Sequence, residues 1–194
     1  MPVEDVLKFY GKKGKAAKIR YYCQFLGRFA LDKLAFFCPI KETRTAIHRM
    51  RGVNIGKGVY IGHEVMFDRV YTDQITIGEH TSIGDRSIIT AHANIPSDTP
   101  LRNLYPRKVM PTKIGAYVWI MPNVTVAPGT TIGDYCVIAT GSVVTKSIPP
   151  MTMAAGSPAV PKKDLAAQLK AHVPPKRFAA LMEERKKMGY EVGT

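Results

Sequence analysis

The sequence predicts a mainly β protein: a coil of short parallel strands stacked rung upon rung, carried between two helical flanks. Three observations predict it. An aliphatic residue recurs at every sixth position, through Ile114, Ile120, Val126, Ile132, Ile138 and Val144. Each is answered four places later by a second inward candidate: Val118, Val124, Thr130, Cys136, Ser142 and Ile148. Neither the 3.6-residue period of a helix nor the two-residue alternation of a lone strand generates six, whereas a repeat array does. The dipeptide Ile-Gly at 55, 61, 77, 83, 114 and 132 then supplies an inward side chain followed by glycine where the chain must turn, at positive φ or against close backbone.

The first element is a basic helical flank, residues 1–51. Ile19, Tyr22, Phe25, Leu26, Phe29, Ala30, Leu34 and Phe37 follow helical spacing, interleaved with Lys18, Arg20, Arg28 and Lys33. Its apolar face suits capping of the open end of the coil, where strand edges and core are otherwise exposed. The same pattern also suits an interfacial helix at a membrane surface. The coil follows over 52–160, with Ile55, Ile61, Ile77, Ile83 and Ile89 in the first slot and Val59, Val65, Thr81 and Ser87 in the second. Two stretches lose the period, 67–74 and the proline-rich, basic 95–113, and both are expected as loops ejected from the coil. The last element is a basic tail, 161–194, helical from Asp164 to Met188, interrupted at Pro174 and Pro175, with Asp164 as N-cap for Leu165 onward.

Charge is unevenly spread. Residues 1–51 hold twelve Lys/Arg against four Asp/Glu, 52–160 hold eight against seven, and 161–194 hold eight against four. The positive excess therefore lies in the flanks, where it can meet anionic lipids, phosphates or acidic glycans without burdening the fold. No nucleic-acid motif accompanies it, and no nucleic-acid partner is expected. No apolar run approaches the ~18 residues of a membrane span, and a start carrying Glu4 and Asp5 does not read as a cleavable signal. The expected location is the cytoplasm, free or at the inner face of the membrane. Cys23, Cys38 and Cys136 are odd in number and lack metal-ligand spacing, so all three read as buried or inert thiols and no metal site is expected.

Five histidines are candidates for chemistry. His63 and His80 occupy turn positions of hexads, and His48 and His172 lie in the flanks without a motif. His92 differs, because Ile-Ile-Thr-Ala-His-Ala-Asn stands where the regular coil ends and the long basic stretch begins. Loops set on a rigid scaffold are where functional side chains concentrate, and an imidazole titrates near working pH.

The hexad pattern over 52–160 resembles the bacterial hexapeptide-repeat acyltransferases. That resemblance implies a left-handed parallel β-helix of triangular section, with three hexads per coil and acetyl-CoA as cosubstrate. The placement of His92 is similar to the galactoside and maltose O-acetyltransferase branch, in which a histidine after Thr-Gly acts as general base; here Ala91 stands in place of that glycine. The resemblance assigns Asp68 to orienting the imidazole or binding a sugar hydroxyl, against an ordinary turn aspartate. Serine acetyltransferases place a histidine immediately after that aspartate, and this chain has Arg69, which disfavours serine as acceptor. The stretches 138–150 and 154–159 look like the family's acetyl-CoA wall, which carries Thr140, Thr145, Lys146 and, more weakly, Lys163 into cofactor-binding roles. Trp119 matches the tryptophan beside the cleft, although Met121 and Pro122 replace the usual Gly-Ser. A homotrimer and a sugar or glycan acceptor, such as a surface polysaccharide or a lipid-linked glycan, are implied as well. The alternatives are a non-catalytic scaffold or a γ-type carbonic anhydrase, which needs two histidines five residues apart where His80 and His92 are twelve apart.

Overall fold

The computed structural model describes residues 3–95 and 99–190. Residues 96–98 of the second break and 191–194 of the tail lie outside the described residues. The helices are α1 (Val3–Phe9), α2 (Lys15–Phe37), α3 (Lys41–Met50), α4 (Leu101–Leu104), α5 (Ala166–Leu169) and α6 (Pro175–Lys187).

Between α3 and α5 the chain visits three parallel sheets in strict rotation. The first sheet takes β1 (Asn54–Ile55), β4 (Ile75–Ile77), β9 (Thr112–Ile114) and β12 (Thr131–Ile132). The second takes β2 (Tyr60–Ile61), β5 (Ser82–Ile83), β10 (Trp119–Ile120) and β13 (Val137–Ile138), and ends on β15 (Thr152–Gly156) and the antiparallel β16 (Ala159–Asp164). The third takes β3 (Met66–Phe67), β6 (Ile88–Ile89), β11 (Thr125–Val126) and β14 (Val143–Val144). A separate antiparallel pair, β7 (His92–Ala93) with β8 (Lys108–Val109), leaves the coil.

The six-residue rule places the core. Ile61, Ile77, Ile83, Ile89, Ile114, Ile120, Val126, Ile132, Ile138 and Val144 are all buried in one continuous cluster. Each such aliphatic contributes about 1.5–3 kcal/mol of burial. The second slot accepts polar residues because the rungs themselves satisfy them. Thr81 donates to the Gly115 carbonyl at 2.7 Å and accepts from the Val118 N–H at 3.1 Å, tying one coil to the next.

The Ile-Gly glycines serve close approach, not positive φ. A Cβ on Gly78 would lie 2.4 Å from the Ala116 nitrogen, and one on Gly133 2.4 Å from the Pro150 nitrogen. The left-handed turn falls two residues past the glycine, at Glu64, His80, Arg86, Tyr117 and Tyr135. A non-glycine residue there costs about 1–2 kcal/mol. Rung stacking offsets it, and His80, Tyr117 and Tyr135 stack ring on ring, with centroids 5.2 and 4.9 Å apart.

The two breaks part company. Residues 67–74 are not ejected: Val70, Tyr71 and Thr72 are buried, and Thr72–Gln74 forms a single 3₁₀ turn that re-enters the first sheet. The expected loop 95–113 is narrower than the sequence suggested, because Lys108–Val109 pairs with His92–Ala93 and Thr112–Lys113 already belongs to β9. The excursion is a two-stranded arm tipped by α4.

The open end of the coil is capped, but by α3 rather than α2. Arg44, buried in α3, donates to the carbonyls of Ile61 at 2.9 Å and Cys38 at 2.7 Å, while Ile47 and His48 seal the rim. Helix α2 turns most of the predicted apolar stripe outward, with Ile19, Tyr22, Leu26, Phe29, Leu34 and Phe37 exposed, while Phe25 of that stripe packs inward. Its packed face is Tyr21, Phe25, Arg28, Asp32 and Ala35, and Asp32 pairs with buried Arg51 at 2.9 Å. In the tail, strand β16 continues to Asp164. The Asp164 side chain accepts from the Ala166 N–H at 2.7 Å and pairs with buried Arg185 at 2.6 Å, clamping α6, while the N-cap position of α5 falls on Leu165, one residue past the one expected. Of the three thiols expected to be buried or inert, Cys136 is buried, Cys38 half-buried and Cys23 exposed on α2.

Candidate active site

In the regular rungs, the third residue past each inward aliphatic takes the left-handed turn: His80 past Ile77, Tyr117 past Ile114, Tyr135 past Ile132. His92 holds that position past Ile89, yet the chain leaves there as β7 instead of turning. Its backbone is fixed just upstream. Thr112 Oγ1 donates to the Thr90 carbonyl at 2.6 Å, and the Met110 N–H donates to the Ala91 carbonyl at 2.8 Å.

The structure brings His92 and Asp68 together. His92 Nδ1 lies 2.5 Å from Asp68 Oδ2, with the Asp68 side chain fully buried and the imidazole 20% exposed. Asp68 stands directly after β3, one strand from β6 in the third sheet, and the inward fold of the first break wraps it. Its Oδ1 accepts from the N–H groups of Val70 at 2.9 Å and Tyr71 at 3.0 Å, and its Oδ2 also accepts from Ala91 N–H at 3.0 Å. Burial alone would raise the Asp68 pKa, but the hydrogen bonds, led by that from His92, prevail and hold it at about 2. An ionised carboxylate has no proton to give. Nδ1–H is therefore the donor of this pair, so that in the neutral ring the lone pair lies on Nε2; the tautomer is assigned from the network.

One hollow holds the imidazole and a second lies beside Tyr71. One, of about 380 Å³, is walled by Met66, Phe67, Ile88, Thr90 and Phe25 and contains His92. The other, of about 750 Å³, is lined by Tyr71, Lys8, Arg102 and Arg107. Tyr71 stands edge-on to His92 with ring centroids 5.1 Å apart and accepts a hydrogen bond from Arg107 Nη1 at 3.2 Å. Sequence reasoning missed Tyr71, because a residue in a stretch taken for a surface loop carries no signal of burial.

The remaining candidates divide. Ile89, Val126 and Val144 are register partners, so Thr145 and Lys146 share the prism edge of His92, two strand spacings or roughly 10 Å along it. Both are exposed. Trp119 projects from the second sheet, exposed, and Thr140 sits at the edge joining the second and third sheets. Lys163 lies on β16, in the register row of Met153 and Val137, which also contains Trp119. Within this chain Trp119 and Lys163 belong to the second sheet and stand apart from His92, which follows the third. His80 and His92 stand at different prism edges, and among the described residues no three His, Cys, Asp or Glu side chains gather to hold a metal ion.

Residues 111–146 match the family model described as bacterial transferase hexapeptide (six repeats). An inferred acetyltransferase of Schizosaccharomyces pombe is 40% identical over 149 residues, 76% of this chain and 70% of its own length. The chain belongs to the hexapeptide-repeat transferases. The family's solved structures agree with the coil seen here. A maltose O-acetyltransferase from Clostridium difficile 630 superposes with a TM-score of 0.55 at 30% identity, covering 75% of this chain and 88% of its own. A galactoside acetyltransferase in complex with coenzyme A gives 0.62 at 25% identity, covering 88% and 94%. The chain spans about half the length of a further hexapeptide relative, the galactoside O-acetyltransferase of Escherichia coli, at 37% identity and 55% coverage of this chain.

Proposed function

We propose that the chain is an acetyl-CoA-dependent O-acetyltransferase that acts on a carbohydrate hydroxyl, with His92 as general base and Asp68 as its positioning residue. The observation that carries this reading is the buried carboxylate holding Nδ1–H of a histidine that lines a groove, which leaves Nε2 of the neutral ring as the acceptor. Neutral His92 takes the proton of the acceptor hydroxyl as its oxygen forms a bond to the thioester carbonyl carbon. When the carbon–sulfur bond breaks, the proton on Nε2 passes to the departing thiolate, which leaves as coenzyme A thiol and returns the imidazole to neutrality. The imidazolium of the intermediate stage is stabilised by Asp68 at 2.5 Å.

The cosubstrate fits the exposed edge. Thr145 and Lys146 lie along the line of His92, where a flat backbone can receive the pantetheine arm and the lysine can meet phosphate. The relatives named for acetyl transfer to galactosides and maltose support both cosubstrate and acceptor class. The same kinship supports the left-handed winding of the coil and a homotrimer, in which a neighbouring subunit supplies Trp119, Thr140 and Lys163 to each groove. A non-catalytic scaffold has no use for a carboxylate buried beneath one imidazole. Among the described residues no helix is long and apolar enough to cross a membrane. The outward stripe of α2, studded with Lys15 and Lys33, supports a peripheral contact with an anionic bilayer at the cytoplasmic face.

The test is an acceptor screen with acetyl-CoA that follows release of the free thiol, run in parallel on wild type and His92→Ala. Sugar-dependent thiol release by the wild type alone is expected. Equal release by both proteins would remove His92 from the mechanism.

A further inference from the structure

A cavity of about 160 Å³ lies between the inner face of α2, the α1–α2 connection and the end of the first coil. Four cations line it, Lys12, Arg20, Arg28 and Arg69, against aromatic walls of Tyr21 and Phe25, and no carboxylate is among the lining residues. The acids nearby are already committed: Asp32 pairs with buried Arg51 at 2.9 Å and stands 4.0 Å from Arg69, Asp73 accepts from the Tyr10 hydroxyl at 2.6 Å, and Asp68 is held against His92. Arg28 is anchored by donating to the Val70 carbonyl at 3.1 Å, so its charge is held in place rather than trailing into solvent. Arg20 has no ion pair or side-chain hydrogen bond among the described residues. Concentrated positive charge between low-dielectric walls focuses its field into the cavity, and guanidinium forks match phosphate oxygens bidentately.

The position matters as much as the charge. Phe25, Arg69 and Val70 line both this cavity and the groove that holds His92. The Val70 N–H is itself a donor to Asp68. A ligand with its anionic group among the four cations therefore extends its attached group past Phe25 toward the imidazole.

We propose that this cavity is a phosphate subsite, and that the acceptor is a sugar linked to phosphate or diphosphate, in place of a free sugar. The inference rests on the acetyl-transfer reading and names its substrate class. Two sources share this chemistry: a soluble nucleotide sugar and a sugar carried on a membrane lipid diphosphate.

Binding is measured first, by calorimetry with inorganic diphosphate and with a nucleotide sugar, on wild type and on the doubly substituted Lys12→Gln, Arg20→Gln protein. Both residues are exposed, so the fold survives their replacement. Saturable, salt-sensitive binding is expected, weakened roughly ten- to hundredfold in the variant by loss of charge-assisted hydrogen bonds. Transfer is then compared among a free sugar, the nucleotide sugar and the lipid-diphosphate sugar in neutral vesicles. The ratio of kcat/KM for a phosphorylated acceptor over the free sugar should exceed one in the wild type and fall about tenfold or more in the variant, mainly through KM. Whichever phosphorylated acceptor is preferred identifies the source. Equal binding by both proteins, or a free sugar used as well as both phosphorylated ones, would overturn the subsite. Acetyl transfer failing with every acceptor while diphosphate binding stays variant-sensitive would count against the transferase reading and leave the anion site standing.

Discussion

At the scale of single residues, the imidazole of His92 is oriented by what lies beneath it. Asp68 is held ionised by four hydrogen bonds and keeps the proton of His92 on Nδ1. Asp68→Asn presents an amide that can donate to Nδ1 and so favours the tautomer protonated on Nε2, which cannot act as a base. The expected fall in kcat/KM is roughly 10²-fold or more, with a lowered melting temperature because the buried Ala91 N–H loses its acceptor, measured by thiol release beside a thermal melt. A fall confined to stability would reduce Asp68 to a structural role. His92 and Asp68 were both legible in the sequence, one from its place at the end of the period and the other from family likeness. Tyr71 and Arg44 were not legible. Each is buried by a segment whose course depends on distant contacts, and neither sits in a repeating pattern.

At the scale of elements, the hexads were readable because one steric rule governs every rung. Gly78→Ala tests that rule: its Cβ would meet backbone at 2.4 Å, and a destabilisation of about 1–3 kcal/mol is expected. Gly27→Ala on α2 meets nothing within 4 Å and should stabilise by about 0.5–1 kcal/mol. Chemical denaturation of the two proteins checks both signs. Helix α2 was misread for an instructive reason. Apolar spacing ordinarily marks the buried face, but here the packed face is held by Arg28 and Asp32, whose partners Val70 and Arg51 are remote in sequence. Helix α3 carries the pH dependence. His48 is buried beneath Phe67, facing Arg51 and Arg44, and burial first, then those charges, depress its pKa to about 3. The unfolded chain binds that proton near 6.5 and the folded chain does not, so the stability contributed by neutral His48 is complete above about 6.5 and lost as pH falls toward 3. Roughly 2–3 kcal/mol should disappear between pH 7 and 4.5, and the slope should flatten in His48→Gln. Denaturant melts across that range with an unchanged slope in the variant would contradict the assignment.

At the scale of the whole molecule, a nearly neutral prism is set between two basic flanks. That division was visible in the charge count. Which surfaces the flanks leave open was not, because it depends on how α2 is rotated against the coil. Flotation with vesicles of anionic lipid should carry the wild type, and the effect should weaken with added salt and with Leu26→Glu, Phe37→Glu on the exposed stripe. Equal flotation by that variant would place the contact elsewhere.

The most direct test of the whole account is the single-turnover rate of acetyl transfer from acetyl-CoA to the best acceptor, compared between wild type and His92→Ala of matched melting temperature. The account predicts a loss of about 10²–10⁴-fold in the chemical step with acetyl-CoA binding retained. A variant that transfers acetyl at the wild-type rate would contradict it.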